Sequence, residues 1–259
     1  MTVRIVTDSA CDLTDAEAAT LDIDIVPLSI RFGDAEYIDR HELSATEFYN
    51  KMSASEHLPQ TAAPAPGAFE EMFRKRLDAG AQSVVCINIS AGVSATMQSA
   101  EAGAKVCGGD VRVVDSGSVS VGQGTIVLAA AEAARSGASA EEITDLVADL
   151  SARTSLFGSL DTLDNLVKGG RIGGAKAMVA NVLSIKPLLD ISSGVVEEAG
   201  RQRTRKKALA WLINKVVEQG DALESVAVAH AMVDDIDAFT DRLCTDTGLT
   251  EARVAVIGP

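Results

Sequence analysis

The sequence predicts an α/β protein: an N-terminal domain with a largely parallel sheet flanked by helices, followed by a smaller α+β C-terminal domain. Three observations carry this prediction. Short apolar runs alternate with helical patterns as far as Arg153, the signature of parallel strands joined by right-handed crossovers. Beyond that point short strands and a glycine-rich turn follow in quick succession. Finally, three strands end alike, in small hydroxyl residues. Val3–Val6 opens onto Thr7-Asp8-Ser9, Val84–Ile87 onto Ser90, Ser94 and Thr96, and Val111–Val114 onto Asp115-Ser116, Ser118 and Ser120. In an open parallel sheet the ligand crevice lies outside the carboxyl ends of the strands. Hydroxyls and helix amides gathered there suit an anionic head group, because they offer donors without bulk. Any one of these serines reads equally well as a helix cap. The repetition is the signal.

Strand 3–6 is followed by a helix near Asp15–Leu21, extended segments at 23–32 and 36–38, and a helix over Ala45–Ser53. The run Leu58-Pro59-Gln60-Thr61-Ala62-Ala63-Pro64-Ala65-Pro66 reads as an irregular link, since prolines lack a donor and turn their predecessors away from helix. A helix over 67–79 starts after Pro66 and stops at Gly80, which suits a left-handed cap. Strand 83–88, helix 95–106, strand 111–115 and helix 122–136 complete the alternating series. Helix 140–153 opens with Glu141-Glu142, where the dipole favours acids. Strands at 156–160, 182–190 and 194–199, helix 204–219, strand 225–230, helix 234–246 and strand 253–257 follow. The expected domains are 1–155 and 156–259.

Composition narrows the function. Of the 259 residues 47% are apolar and only 3% aromatic, so the core must be built from Val, Ile, Leu and Ala. A net charge of −14 argues against nucleic acid and against an anionic membrane surface as partners. The opening strand is no signal peptide and no run is long enough to span a bilayer, so the expected compartment is the cytoplasm, without stable membrane insertion. Cys11, Cys86, Cys107 and Cys244 are scattered without metal-type spacing and read as reduced structural thiols.

Catalytic patterns are scarce. The histidines His41, His57 and His230 do not sit beside a serine elbow, so no nucleophilic triad is expected. Asp234, Asp235 and Asp237 read as the cap and first turn of a helix rather than as metal ligands. Gly117 to Gly124 lacks the lysine of a phosphate loop, and Lys168-Gly169-Gly170-Arg171-Ile172-Gly173-Gly174 reads as a tight turn. No cofactor and no metal are expected. Residues 168–207 concentrate Lys168, Arg171, Lys176, Lys186, Arg201, Arg203, Arg205, Lys206 and Lys207, either as a solvated face or as a surface for phosphate or an acidic partner.

The ordered motifs resemble the DegV family of bacterial fatty-acid-binding proteins. They are Val6-Thr7-Asp8-Ser9-Ala10-Cys11-Asp12-Leu13; Pro27-Leu28 with Phe32-Gly33 and Asp39; Thr61 with Pro64, Pro66 and Phe69; Ile89-Ser90 with Val93-Ser94-Ala95-Thr96; Asp115-Ser116; Lys168-Gly169-Gly170-Arg171-Ile172; Ile185-Lys186-Pro187-Leu188-Leu189; and Arg203-Thr204 with Lys206-Lys207-Ala208. The resemblance implies an apolar tunnel, between and within the two domains, for one long-chain fatty acid such as palmitate or oleate. It places carboxylate-binding roles on Thr61 and Ser94, with Asp8, Ser9, Asp115 and Ser116 framing the crevice. It puts Arg171 and Arg203 near the head group or a partner surface. It further implies a non-catalytic role as the lipid-presenting subunit of an ATP-dependent fatty acid kinase, whose product is an acyl phosphate for phospholipid synthesis.

Three departures stand out. Ala62 follows Thr61 where a second hydroxyl is usual, and Ala95-Thr96-Met97 replaces the usual glycine, threonine and aromatic. The sequence stops at Ile257-Gly258-Pro259, where relatives continue into a strand whose histidine assists the head-group site. The residues alone leave two rival readings: a small-molecule phosphotransferase or hydrolase acting at the hydroxyl cluster, and an interaction scaffold using the basic segment.

Overall fold

The computed structural model describes residues 2–181 and 185–258. The expectation for 182–184, the start of a strand, lies outside them. The chain divides into two units, one of residues 2–154 with 257–258 and one of residues 155–256.

In the first unit β1 (Val3–Asp8) leads through a short 3-10 turn to α1 (Asp15–Thr20), β2 (Asp24–Val26), β3 (Ser29–Phe32), β4 (Ala35–Ile38) and α2 (Ala45–Ala54). Then come β5 (Gln60–Ala62), α3 (Pro66–Asp78), β6 (Ser83–Asn88), α4 (Thr96–Cys107), β7 (Val111–Asp115), α5 (Ser120–Arg135) and α6 (Ala140–Arg153). Helices α1, α2 and α6 each begin with a hydroxyl at the cap and a glutamate three residues on, Thr14/Glu17, Ser44/Glu47 and Ser139/Glu142, so two end amides are satisfied reciprocally.

The main sheet has the order β2-β1-β6-β7 and all of its pairings are parallel. Its central strands β1 and β6 are buried on both faces, with side chains alternating between them. Val3, Ile5, Val85 and Ile87 pack against Ile126, Val127 and Ala130 of α5 and Ile143 and Val147 of α6. Val6, Val84 and Cys86 turn the other way, onto Phe69 and Phe73 of α3 and Ala100 of α4. The two outer helices on that face approach closely: a Cβ at Gly103 of α4 would stand 2.6 Å from the Pro66 carbonyl oxygen and 2.9 Å from the Glu70 nitrogen of α3.

A second, antiparallel sheet of order β4-β3-β5 brings Phe32 and Tyr37 into an aromatic cluster with Phe48 and Tyr49 of α2. Here the proline-rich link departs from expectation, because Gln60–Ala62 forms β5 and pairs with β3. These three residues lie between Pro59 and Pro64 and keep their backbone donors, so the prolines bound the strand without interrupting it.

The second unit holds β8 (Phe157–Ser159), α7 (Asp164–Lys168), a 3-10 segment (Gly173–Asn181), β9 (Lys186–Asp190), β10 (Glu197–Gln202), α8 (Arg205–Val217), β11 (Ala227–His230), α9 (Ile236–Thr247) and β12 (Arg253–Val256). Strands β10-β9-β8 form an antiparallel sheet and β11-β12 a parallel pair. The glycine-rich turn leads into the 3-10 segment, and Leu163, Ile172, Ala175, Met178, Leu189 and Val196 make a small core there.

Candidate functional site

The carboxyl ends of β1, β6 and β7 lie side by side, with Thr7 in register with Ile87 and Asn88 with Asp115. Asp8 is the hub of this edge. It is fully buried, and its Oδ2 accepts from the Asn88 Nδ2 at 3.0 Å and the Ile89 amide at 2.8 Å. Its Oδ1 accepts from the Ala10 amide at 3.2 Å and the Gln123 Nε2 at 3.1 Å. Burial pushes the Asp8 carboxyl above its ordinary range, and these four donors oppose the shift. Gln123 of α5 gives its second amide proton to the Thr7 hydroxyl at 3.1 Å, while Thr7 itself donates to the Ile87 carbonyl at 2.7 Å. One carboxylate thus ties together the ends of two strands and the first turn of a helix.

The loop after β6 is held amide by amide. Ile89 donates to Asp8, Ser90 to the Ser118 carbonyl at 2.8 Å, and Ala91 to the Asp115 carboxylate at 3.2 Å. Gly92 donates to the Ser90 Oγ at 3.1 Å, and Val93 and Ser94 both donate to the Ser90 carbonyl, at 3.1 and 3.2 Å. Asp115 also accepts from Gly117 at 2.8 Å, and the Ser116 hydroxyl accepts from the Ser118 amide at 3.2 Å. Ser9 accepts from the Leu28 amide at 3.0 Å and hydrogen-bonds Asp39, whose carboxyl burial pushes upward. Asp8, Ser9, Asp115 and Ser116, the residues expected to frame a crevice, lie at this edge, and their polar atoms engage the protein's own chain.

Ser94 is half-buried at the end of that loop, one residue before the Ala95 cap of α4. Its Oγ lies 2.9 Å from the Thr96 Oγ1 and accepts from the Thr96 amide at 3.3 Å. Thr61 is half-buried on β5, in register with Ile30. Its segment is drawn towards the helix that follows Ser94, because the Ser99 hydroxyl of α4 donates to the Pro64 carbonyl and α3 packs on Gly103.

Another part of the edge joins distant segments. Asp12 and Ser120 are non-glycine residues with left-handed φ angles of 48° and 52°. The Ser120 hydroxyl donates to the Asp12 Oδ2 at 2.6 Å, and the Gly258 amide donates to the Asp12 Oδ1 at 2.8 Å. Tyr49 donates to the Ile257 carbonyl at 3.1 Å.

In the second unit Arg171 is exposed, donating to the Gly169 carbonyl at 2.7 Å, and Arg203 is exposed just before the Thr204 cap of α8. Part of the basic segment is neutralised within the unit: Lys186 pairs with Asp161 at 2.6 Å, Arg201 with Glu198 at 2.9 Å and Arg205 with Asp235 at 2.6 Å. Asp235 departs from its expected capping role, since its carboxylate makes no capping bond and takes the Arg205 fork instead. Among the described residues no group of three or more His, Cys, Asp or Glu side chains could hold a metal ion. No helix among them is long and apolar enough to cross a membrane. Burial pushes the Cys11 thiol up to about 12 and the Cys86 thiol well above its ordinary value, which makes both poor nucleophiles.

Sequence reasoning missed Asn88, Gln123 and Asp12. A faint signal existed for the first two: Asn88 ends an otherwise apolar strand, and Gln123 is the only amide in the apolar first half of α5.

Comparison with known proteins agrees with this architecture. The model of the DegV family, described as one of uncharacterised proteins, matches residues 2–259. A DegV domain-containing protein of Deinococcus radiodurans is 39% identical over 216 residues, covering 83% of this chain and 76% of the relative. A DegV family structure from Thermus thermophilus, described by its fatty acid binding, superposes with a TM-score of 0.89 at 32% identity, covering 99% of this chain and 93% of that one. A stearic acid-binding protein from Eubacterium ventriosum superposes with a TM-score of 0.91 at 25% identity, covering 99% and 92%.

Proposed function

The chain belongs to the DegV family, and from that premise we propose that it binds one long-chain fatty acid, with its carboxylate held by the hydroxyls of Thr61 and Ser94. The observation that carries this reading is the match along 99% of the chain to the Thermus protein known by its fatty acid binding. The physics is favourable. Each buried methylene contributes about 0.8 kcal/mol, so a chain of roughly 16 carbons gains on the order of 10 kcal/mol before ordering costs. Aliphatic walls are enough for affinity. The carboxylate has the opposite problem, because it loses hydration and must find donors. The amides of residues 89–94 are already engaged, which leaves hydroxyl side chains as the natural donors on that loop.

On this reading the protein performs no bond chemistry itself. It holds palmitate or oleate so that a separate ATP-dependent kinase can phosphorylate the carboxylate, with the exposed Arg171 and Arg203 facing that partner or the phosphate. Native mass spectrometry of the purified protein should show one long-chain fatty acid per chain. A Thr61→Ala, Ser94→Ala double variant should bind it more weakly while the ligand-free form unfolds at nearly the same temperature. Protein that ignores added palmitate and oleate would overturn the lipid reading, and an unchanged affinity in the double variant would overturn the head-group assignment.

A further inference from the structure

We infer that Thr96 is a positioning residue that turns the Ser94 hydroxyl into an obligate donor, so that the head-group site selects an ionised carboxylate over a neutral polar group. This rests on the lipid reading above and deepens it.

The direction of the Ser94–Thr96 hydrogen bond decides the matter, and burial settles that direction. The two oxygens stand 2.9 Å apart, a distance compatible with either donor. Thr96 is fully buried, and Ser94 is half-exposed. If Ser94 donated, the Thr96 proton would be left buried without an acceptor, at a cost of about 1–3 kcal/mol. If Thr96 donates, its proton is satisfied and the proton of the half-exposed Ser94 is left for solvent or a ligand to accept. The second arrangement wins.

A hydroxyl has one proton and two lone pairs. The Ser94 Oγ then receives the Thr96 hydroxyl and also the Thr96 amide, at 3.3 Å. Both lone pairs are filled and only donation remains. Such an atom serves a carboxylate oxygen, which accepts only. It serves a fatty alcohol poorly, because an alcohol must also place its own proton. The receipt of two donors also polarises the Ser94 O–H bond, strengthening what it can give to an anion. The backbone holds the geometry, since the Ser94 amide is tied to the Ser90 carbonyl at 3.2 Å.

The test compares palmitate with hexadecanol in the wild-type protein and in Thr96→Val and Thr96→Ser. Valine keeps the volume and the backbone amide but removes the hydroxyl, and serine restores it. The ratio of palmitate to hexadecanol affinity should fall about tenfold in Thr96→Val, the equivalent of one charge-assisted hydrogen bond, and return in Thr96→Ser. A ratio unchanged in Thr96→Val would overturn the inference, as would an equal loss for both lipids, which marks a merely structural role. If Thr96→Val does not fold, Thr96→Ser alone must preserve the wild-type ratio, and its failure to do so would also overturn it. A wild-type protein that binds neither lipid would instead overturn the lipid reading itself.

Discussion

The sheet edge of the first unit and the charged surface of the second organise their charges in opposite ways. At the edge, Asp8 is fully buried and its four hydrogen-bond donors are all neutral amides. On the second unit, Asp235 is about 42% exposed and faces a guanidinium directly. The first arrangement is costly to assemble and rigid once made, because every donor would be orphaned if the carboxylate left. The second is held in solvent, where attraction is screened and side-chain entropy offsets it. A frame that must fix donors to a fraction of an ångström needs the first kind. A surface that meets a partner can be built from the second.

The largest expected effect comes from Asp8→Ala. Four donors lose their acceptor at once, two of them the fully buried side-chain amides of Asn88 and Gln123, and a loss of about 3–5 kcal/mol in urea unfolding follows from uncompensated burial on that scale. A loss below about 1 kcal/mol, the level of a surface pair, would erase the contrast between the two regions.

Gly103→Ala should come next. Its Cβ would meet backbone atoms of α3 at 2.6 and 2.9 Å, and backbone cannot rotate away as a side chain can. Overpacking of this kind costs about 1–3 kcal/mol. Because α3 follows Thr61 and α4 follows Ser94, the variant should also weaken fatty acid binding by more than its loss of stability explains. Thermal unfolding and lipid titration on the same preparation separate the two effects, and unaltered affinity would show that helix spacing does not set the head-group site.

How much of this was legible in the sequence depends on the range of the contact. The alternation of β6, α4, β7 and α5 is a local pattern, and the hydroxyls at the strand ends follow from it directly. Strand β5 was hidden because three residues among prolines carry no periodicity, and its partner strand β3 lies far away in sequence. The bonds from Gln123 to Asp8 and from Gly258 to Asp12 join residues 115 and 246 positions apart. No propensity or spacing encodes such a pairing. Asp8 and Asp115 stand out in the sequence at their strand ends, but the engagement of the loop amides, by Asp8, Asp115, Ser118 and Ser90, is a tertiary property that no local pattern carries. With those amides occupied, hydroxyl side chains are the donors the loop has to offer.

The smallest effect, and the one that sharpens the comparison most, is expected from Asp235→Asn. The Arg205 fork holds the Asp235 carboxyl below its ordinary range, so its stabilisation is present above the unfolded value near 3.9 and is lost as pH falls through the lowered one. For an exposed pair that amounts to about 0.5 kcal/mol at neutral pH. Asp8 has the opposite sign. Its raised carboxyl favours the native state below about 3.9, and that contribution fades as pH rises through the raised value. Urea unfolding from pH 3 to pH 7 should therefore show the penalty of Asp235→Asn growing with pH while that of Asp8→Ala shrinks. Two penalties moving together would mean that both carboxylates act as ion pairs, and the distinction between a buried frame and a solvated surface would fail.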